Sequence, residues 1–386
     1  MNRLVCSTLI LMCLSPSYLL PAYAYDTQSG EIVAWHPTPE NLPDVTDPQF
    51  ILHEVPGLTF IDEQSHEKIT IGVEDGEFHE MFGFVSDLAV PGDGTVLVMD
   101  RINSEVRVFD YGGNLLATFG RMGEGPGEFR EEPSLISIAD QGKSVFVLEQ
   151  FGRTASVFDR LELSTFVPKV NSVPGVLSFS GCAMNGHYWV YGYDLAKDGV
   201  IHKFDYDGQH VATFAERYKA VSERASSRLS FYGDLACSEA HGIVALNRLW
   251  APVITGYRDN GEIAWHVKFA DIDANYIPEH EDGKLGLSHP YELGQRRFDH
   301  LFTDPAGDFY VQYTIVAGHG RDRRSDRGPL FKVDAATGLG TYLGNAPTLS
   351  GFDAGYGFSA YNHPFPHVVI YRPREGINRD VQSHRR

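Results

Sequence analysis

The segment Phe119–Pro133, FGRMGEGPGEFREEP, has the composition of a phosphate-binding loop, with glycine at every second or third position after the strand-like sequence NLLATF. A dinucleotide site needs such glycines between a strand and a helix, so that amides and the helix dipole meet a pyrophosphate. No helical pattern follows, and no Gly-Lys-Ser/Thr completes a P-loop. We therefore interpret the segment as a structural turn that uses glycine at positive φ and the fixed φ of Pro126. Acidic side chains that would repel a phosphate also occur here: Glu124, Glu128, Glu131 and Glu132.

Histidine is plentiful, with 16 residues, but the positions are scattered. The GxSxG, HExxH, DxDxDG and CxxC signatures are absent from the sequence. We predict no cofactor; the alternative is a divalent metal held by imidazoles. The metal ligands would be His280, His289 and His300. If the chain is an enzyme, the residues for proton transfer and charge stabilisation would be His300, Tyr291 and Arg296.

Arginine is the main basic residue, although the chain carries a net charge of −19. Guanidinium groups bind carboxylate, sulfate or phosphate with two parallel hydrogen bonds, and aromatic rings stack on sugars or grip peptides. These features predict a surface for an anionic ligand. The competing interpretation is that the arginines pair with neighbouring acids and that the rings pack between structural units. The predicted ligand-binding residues are Arg101, Arg121, Arg130, Arg153, Tyr193, Arg248, Trp250 and Arg297.

Residues 1–24 have the pattern of a secretory signal peptide, with Arg3 before an apolar run and Ala-Tyr-Ala at positions 22–24. We expect cleavage near Ala24 and a periplasmic or secreted mature protein. The apolar run is shorter than the ~20 residues of a membrane-spanning helix, so we predict no membrane span. The acidic net charge repels a phosphate backbone and argues against a nucleic-acid partner.

Two cysteines, Cys182 and Cys237, remain after loss of the signal peptide. An even pair in an oxidising compartment can form a disulfide. Two buried thiols are the other interpretation, and the sequence leaves both open.

A strand-rich unit recurs along the chain, each copy with alternating strand residues, a glycine turn and further short strands. Four short strands per unit is the size of a propeller blade, whereas a helical repeat would show a 3.6-residue period. The sequence therefore predicts an all-β fold: a six-bladed β-propeller of four-stranded antiparallel blades, with seven blades as the alternative. The copies are 85–120, 135–167, 177–214, 233–269 and 298–343.

The sixth unit is incomplete, because 358–372 provides only about two strands. We expect the N-terminal sequences LTFIDE and EKITIGV to complete it, so that N- and C-terminal strands close the ring in one blade. The predicted domains are a signal peptide at 1–24, a lead segment at 25–55, the propeller at 56–374 and a polar tail at 375–386.

The sequences MDRINSEVRVFDYGG and FGRMGEGPGEFREEP resemble the NHL-repeat class of six-bladed β-propellers. In that class a GxGPGxF-type loop followed by a proline links one blade to the next. The resemblance is strong across 84–160, fair to about 270 and architectural beyond that. It implies a fold and no particular activity, because members include ligand-binding proteins, scaffolds, lyases and hydrolases.

In an up-and-down blade, the connections from strand two to strand three share a face with the crossings between blades. We call this the long-loop face, because all the long segments of this chain fall on it; the tight glycine turns form the opposite turn face. We predict a monomeric binding module for an anionic small molecule, a glycan or a protein partner on the long-loop face. The alternatives are a carbohydrate- or peptide-directed lyase or hydrolase, with its site at the mouth of the axial channel, and a scaffold without a small ligand.

Overall fold

The structure is a computed structural model of the chain. It describes residues 33–35, 45, 47–149, 154–162, 164–172, 176–194, 197–218, 226, 230, 233–248, 251–272, 277–279, 295–316 and 327–375. No helix within these ranges is both long and apolar enough to cross a membrane.

Six antiparallel four-stranded units follow one another along the chain, and we number them as blades 1 to 6. Blade 1 contains Val85–Ala89, Thr95–Asp100, Glu105–Asp110 and Leu115–Phe119, and blade 2 contains Pro133–Ala139, Ser144–Glu149, Ala155–Glu162 and Thr165–Ser172. Blade 3 contains Leu177–Met184, His187–Tyr193, Ile201–Asp205 and His210–Phe214, and blade 4 contains Gly233–Ser238, Ile243–Arg248, Val253–Arg258 and Ile263–Phe269. Blade 5 contains Gln295–Thr303, Phe309–Val316, Arg327–Val333 and Gly340–Pro347. Blade 6 contains Gly351–Asp353, Tyr356–Tyr361 and His367–Pro373, with His66–Ile71 as its fourth strand.

The blades form a ring, because the first strand of each blade contacts the first strand of the next and blade 6 contacts blade 1. The chain is a six-bladed β-propeller, and the predicted fold class is confirmed. Second strands such as TVLVMD and SVFVLE are buried along their whole length, since neighbouring blades cover both of their faces. This double burial explains why they appear in the sequence as continuous apolar runs. The outermost strand of blade 1, LLATF, is largely exposed.

The ring closes through blade 6, where His66–Ile71 pairs antiparallel with His367–Pro373. The sequence LTFIDE differs from the expectation, because it forms only an isolated bridge from Thr59 to Asn345 of blade 5. The missing first strand is instead Gly351–Asp353, which is too short to be recognised as a strand from its sequence.

The lead segment extends blade 4, since Phe50–Leu52 pairs in parallel with the outermost strand Ile263–Phe269. A further short strand, Val33–Trp35, pairs with Ile277–Glu279. Covering an edge strand in this way satisfies backbone groups that would otherwise form a template for aggregation. The boundaries at 24, 55 and 375 stay predictions.

Apolar side chains fill the space between blades, as in the cluster where Leu97 and Val106 of blade 1 meet Ile136 and Phe158 of blade 2. The first strands of blades 3 and 4 are also joined covalently, by a disulfide between Cys182 and Cys237 with a Cα–Cα distance of 5.6 Å. One 3₁₀ turn, Asp140–Gly142, lies on the turn face of blade 2.

Candidate functional site

Buried carboxylates anchor the segments that cross between blades on the long-loop face. Asp100 ends the second strand of blade 1 and accepts hydrogen bonds from the N–H groups of Gly83 and Phe84 at 2.8 and 3.1 Å. Glu149 ends the second strand of blade 2 and accepts a hydrogen bond from the N–H of Glu131 at 2.7 Å. Both acids are fully buried. The crossings therefore enter blades 1 and 2 in fixed orientations, which prearranges the residues that they expose.

The glycine-rich loop encloses a carboxylate of its own chain. Glu128 accepts hydrogen bonds from the N–H of Gly125 at 2.8 Å and from Nε of Arg121 at 2.6 Å. A Cβ atom at Gly123 would collide with the Glu128 carboxylate, so glycine permits this close approach. The Gly125 and Arg121 hydrogen bonds lower the pKa of Glu128. The loop thus has the anion-binding character that its composition suggests, but the anion is its own glutamate.

The crossing from blade 6 to blade 1 has the same arrangement, which the sequence analysis missed. Glu80 accepts a hydrogen bond from the N–H of Glu77 at 3.0 Å, as Glu128 does from Gly125. In each loop, the main-chain N–H of the glutamate that supplies the carboxylate also donates a hydrogen bond to the carbonyl oxygen three residues earlier. The distance is 2.8 Å for Glu80 and 3.1 Å for Glu128. The only sequence signal is a glutamate at this spacing, which is too common to indicate a loop structure.

Arg107 fixes the backbone of this blade 6 to blade 1 crossing. Its buried guanidinium donates to the carbonyl oxygens of Met81 and His79 at 2.7 and 3.2 Å. Its Nε donates to Glu105 at 2.7 Å, and its Cζ lies 5.8 Å from the centroid of the Phe78 ring. Phe78 nevertheless remains 66% exposed. The crossing therefore presents an aromatic ring to solvent from a fixed backbone.

Large apolar side chains are exposed on segments of the long-loop face that flank blade 1. Ile102 follows the second strand of blade 1 and is 56% exposed, and Met122 in the glycine-rich loop is 52% exposed. Arg130 is exposed on the same crossing as Met122, with no carboxylate within 4 Å in the described part of the chain. Aromatic residues, methionine and arginine are enriched in protein interfaces. We call Phe78, Ile102, Met122 and Arg130 the blade 1 loop surface.

Two of the predicted arginines on this face pair with acids on the same face. Arg101 has its Nε 3.4 Å from Glu132 Oε2, and its guanidinium lies 4.7 Å from the centroid of the Phe84 ring. Arg121 pairs with Glu128, although its side chain is 79% exposed. Internal pairing, the competing interpretation in the sequence analysis, therefore describes both residues in this structure.

Arg248 differs from the prediction, because it is buried at the end of the second strand of blade 4. Its Nη2 donates to the carbonyl oxygen of Glu216 at 2.8 Å, and its Cζ lies 5.0 Å from the centroid of the Tyr218 ring. Arg248 thus holds the segment before blade 4 by donating a hydrogen bond to a main-chain carbonyl. Asp100 and Glu149 instead hold their crossings by accepting hydrogen bonds from main-chain N–H groups. Burial keeps this guanidinium away from a ligand in solvent.

The remaining predicted site residues are only partly covered by the structure. His300 lies half-buried in the first strand of blade 5. Within the described ranges, no group of three or more His, Cys, Asp or Glu side chains is arranged to hold a metal ion. The catalytic and metal assignments therefore stay predictions. Residues outside the described ranges are Arg153, Trp250, His280, His289 and Tyr291, and those described only as strand backbone are Tyr193, Arg296 and Arg297.

Asp87 is a further ionisable group near the long-loop face, and the sequence analysis did not select it. It lies in the first strand of blade 1, deep among protein atoms but with some accessible surface. Its Oδ2 accepts a hydrogen bond from the N–H of Ile136 in blade 2 at 2.9 Å, and its Oδ1 accepts one from the N–H of Leu88 at 2.8 Å. Burial raises the pKa of Asp87 to about 7, against the lowering effect of these hydrogen bonds. The carboxyl group therefore titrates near neutral pH.

Comparison with known families supports the architecture. The sequence model of DUF5128, a family described as a 6-bladed beta-propeller, matches residues 82–230, which include blades 1 to 3. No curated protein matches the chain.

Solved structures with the same fold are distant in sequence. A protein of Bacteroides fragilis named "Putative exported protein" is 12% identical, with a TM-score of 0.50 and coverage of 84% of this chain and 99% of that chain. A member of the duf4221 family from Bacteroides vulgatus is 9% identical, with a TM-score of 0.50 and coverage of 80% and 97%. Virginiamycin B lyase of Staphylococcus aureus is 9% identical, with a TM-score of 0.44 and coverage of 80% and 100%. The first two likenesses show the fold alone, and the lyase likeness carries no argument.

Proposed function

We propose that this chain is an exported β-propeller binding module whose blade 1 loop surface recognises a partner protein. The signal-peptide pattern in residues 1–24 supports export. The resemblance to NHL-type propellers supports the long-loop face as the binding side. The observation that carries it is the exposure of Phe78, Ile102 and Met122 on crossings and turns whose backbones are held by buried side chains. Fixed backbones reduce the entropy that ordering on binding would cost.

The partner suited to this surface presents apolar side chains beside carboxylates. Phe78, Ile102 and Met122 supply apolar area, which is the main source of affinity in the centre of an interface. Arg130 interacts electrostatically with the buried Glu149, but it is exposed and makes no ion pair within 4 Å in the described ranges, so its guanidinium can also meet a carboxylate of the partner. Arg121 and Arg101 already pair with Glu128 and Glu132 and would contribute less.

Site-specific photo-crosslinking in the cell envelope of the native host tests this proposal. A photoreactive side chain replaces Ile102 in one variant and Leu339 in a matched control. Leu339 is equally exposed, at 56%, but lies in the turn between the third and fourth strands of blade 5, on the turn face. We expect a discrete adduct from position 102 that is absent from position 339. Arg130→Glu in the position 102 variant should reduce the adduct about tenfold, because it reverses the charge that meets the partner.

Equal adducts from both positions would contradict a specific surface, and so would an adduct that Arg130→Glu leaves unchanged. Neither substitution removes a hydrogen-bonding side chain of the buried anchors Asp100, Arg107 and Glu149. Because the positive charge of Arg130 partly offsets the rise that burial causes in the pKa of Glu149, urea denaturation of the Arg130→Glu variant checks that the crossings stay folded.

A second candidate function, an enzyme with its site at the mouth of the axial channel, is favoured by Asp87. Its carboxyl group lies toward the long-loop end of the innermost strand of blade 1, and its pKa of about 7 suits a proton-transfer group at neutral pH. A screen of the purified protein against uronate-containing oligosaccharides and peptides would test it. Turnover that Asp87→Asn abolishes supports this function, and turnover that is unchanged in Asp87→Asn excludes Asp87 from it.

A further inference from the structure

A groove of about 600 Å³ lies between blades 2 and 3 on the turn face, opposite the blade 1 loop surface. Its volume lies within the range of small-ligand sites. The blade 3 wall contains Gly186 and Tyr206, and blade 2 supplies the other lining residues, several of them charged. No residue of the groove belongs to the surface proposed above for partner binding.

Asp140 fixes the wall where the two blades meet. Its Oδ2 accepts a hydrogen bond from the hydroxyl of Tyr206 at 3.0 Å, and its Oδ1 accepts one from the N–H of Gly186 at 3.4 Å. Burial and the neighbouring Asp140 raise the pKa of Tyr206, so its hydroxyl stays a donor at all physiological pH values. Both oxygens of Asp140 are thus used to hold the wall, and these two donors stabilise its negative charge.

The other acid of the groove, Asp159, is also paired. Its Oδ1 lies 3.2 Å from Nζ of Lys169 and 3.5 Å from the hydroxyl of Ser144. Nζ of Lys169 lies 5.3 Å from the centroid of the Tyr206 ring, so this lysine reaches across the groove from blade 2 to blade 3. The Asp159 carboxylate keeps its second oxygen for a hydrogen-bond donor from a ligand.

Arg160 is held from outside the groove by two residues of blade 1. Its Nη1 pairs with Asp93 at 2.6 Å and its Nη2 donates to the hydroxyl of Thr95 at 2.9 Å. Its Nε is buried and has no acceptor among the described residues. Because this side chain is buried and already paired, Arg160 helps to shape the groove and is not available to a ligand in solvent.

Lys143 supplies the uncompensated charge. Its side chain is exposed at the groove, and the described ranges place no carboxylate within 4 Å of it. Of the other two cations in the lining, Arg160 pairs with Asp93 and Lys169 with Asp159, so Lys143 is the one without a carboxylate within 4 Å in the described ranges. Lys143 therefore gives the groove a cation that can pair with an anionic group of a ligand.

We propose that this groove binds a small hydroxylated carboxylate of the sugar-acid class. The ligand carboxylate pairs with Lys143, and a ligand hydroxyl group donates to the second oxygen of Asp159. Leu161, 66% exposed at the groove, covers an apolar face of the ligand ring. This assignment uses the turn face and is independent of the proposed partner binding on the long-loop face.

Calorimetric titration of the mature chain with D-glucuronate at low ionic strength tests the assignment, with D-glucose as the uncharged probe of the same ring. We expect saturable binding of glucuronate and binding of glucose at least about tenfold weaker, because glucose cannot pair with Lys143. Lys143→Gln should weaken glucuronate binding about tenfold. Lys68→Gln is the matched control, since Lys68 is also exposed but lies on blade 6 and pairs with Glu63 at 3.0 Å.

The proposal is overturned by a lack of saturable glucuronate binding, by equal binding of glucose, or by a Lys143→Gln variant that binds like the parent chain. An equal loss in Lys68→Gln would also overturn it, because the effect would then be a general one of net charge. The photo-crosslinking result at position 102 does not depend on Lys143, so the two proposals fail separately.

Discussion

The Glu149 carboxylate accepts a hydrogen bond from the main-chain N–H of Glu131 at 2.7 Å, which joins the second strand of blade 2 to the segment that enters that blade. Glu149 is fully buried, and burial raises its pKa in spite of this hydrogen bond. Replacement by alanine would leave the Glu131 N–H without its acceptor. We expect Glu149→Ala to lower the free energy of unfolding by about 3 kcal/mol in urea denaturation.

The control for Glu149 is Glu162→Ala, because Glu162 lies exposed at the end of the third strand of the same blade. Its replacement should change the free energy of unfolding by no more than about 0.5 kcal/mol. A similar loss in both variants would show that charge, and not the anchor, stabilises blade 2.

Substitution of Gly120 and Gly94 distinguishes two reasons for a glycine: a backbone with positive φ and a lack of space for a side chain. Both have positive φ, at 83° and 86°, but only Gly120 is packed against another residue, the buried ring of Phe129. Gly94→Ala should cost about 1 kcal/mol for the backbone conformation alone. Gly120→Ala should cost about 3 kcal/mol, because its methyl group also collides with Phe129. Thermal unfolding of the two variants measures the difference, and equal losses would show that the ring moves aside freely.

Asp87 and His202 predict opposite pH dependences of stability. Burial lowers the pKa of His202 to about 4 from an ordinary value of 6.5, so the folded state resists protonation that the unfolded chain accepts. The contribution of His202 to the stability of the folded chain is therefore lost as pH falls from about 6.5 to about 4. The pKa of Asp87 is raised by burial from 3.8 to about 7, so the folded state holds a proton that the unfolded chain releases. The contribution of Asp87 to the stability of the folded chain is therefore lost as pH rises from about 4 to about 7.

These two contributions to the free energy of unfolding change with pH in opposite directions over the same pH range. Each changes by at most about 1.4 kcal/mol per pH unit. The parent chain should therefore show a shallow dependence between pH 4 and 6.5 in urea denaturation. Asp87→Asn should reveal a loss of stability toward acid pH, and His202→Gln a loss toward neutral pH. Parallel curves for both variants and the parent chain would show that neither group titrates as the structure indicates.

The disulfide between Cys182 and Cys237 closes a loop with a sequence separation of 55 residues. In the chain-entropy description, a loop of this length stabilises the folded state by about 4 kcal/mol. The double variant Cys182→Ser, Cys237→Ser should lose stability of that order, and a reducing agent should destabilise the parent chain but not the variant. A parent chain that is insensitive to reduction would contradict a stabilising role for this bond.

The alternation of strand residues and the recurring glycine turns were sufficient to predict the blades, because each blade depends on contacts that are local in the chain. The same local patterns made it possible to interpret the loop at 119–133 as a turn. They could not predict Gly351–Asp353 as a strand, since three residues carry no period and their pairing is imposed by Tyr356–Tyr361 beside them. The partner of His66–Ile71, about 300 residues away along the chain, was accessible only as a requirement for closing the ring.

The sequence by itself determined that the chain builds repeated four-stranded units and that its long loops share one face, since strand periodicity and turn chemistry act over short distances. The tertiary structure decided which charges remain available. Arg248 and Arg130 are equivalent as residue types, yet one is buried against the Glu216 carbonyl and the other is exposed. Likewise, only the packing of blades 2 and 3 brings Lys143 and Tyr206 to one groove. Burial and pairing across blades depend on residues far apart in the chain, and composition carries no record of them.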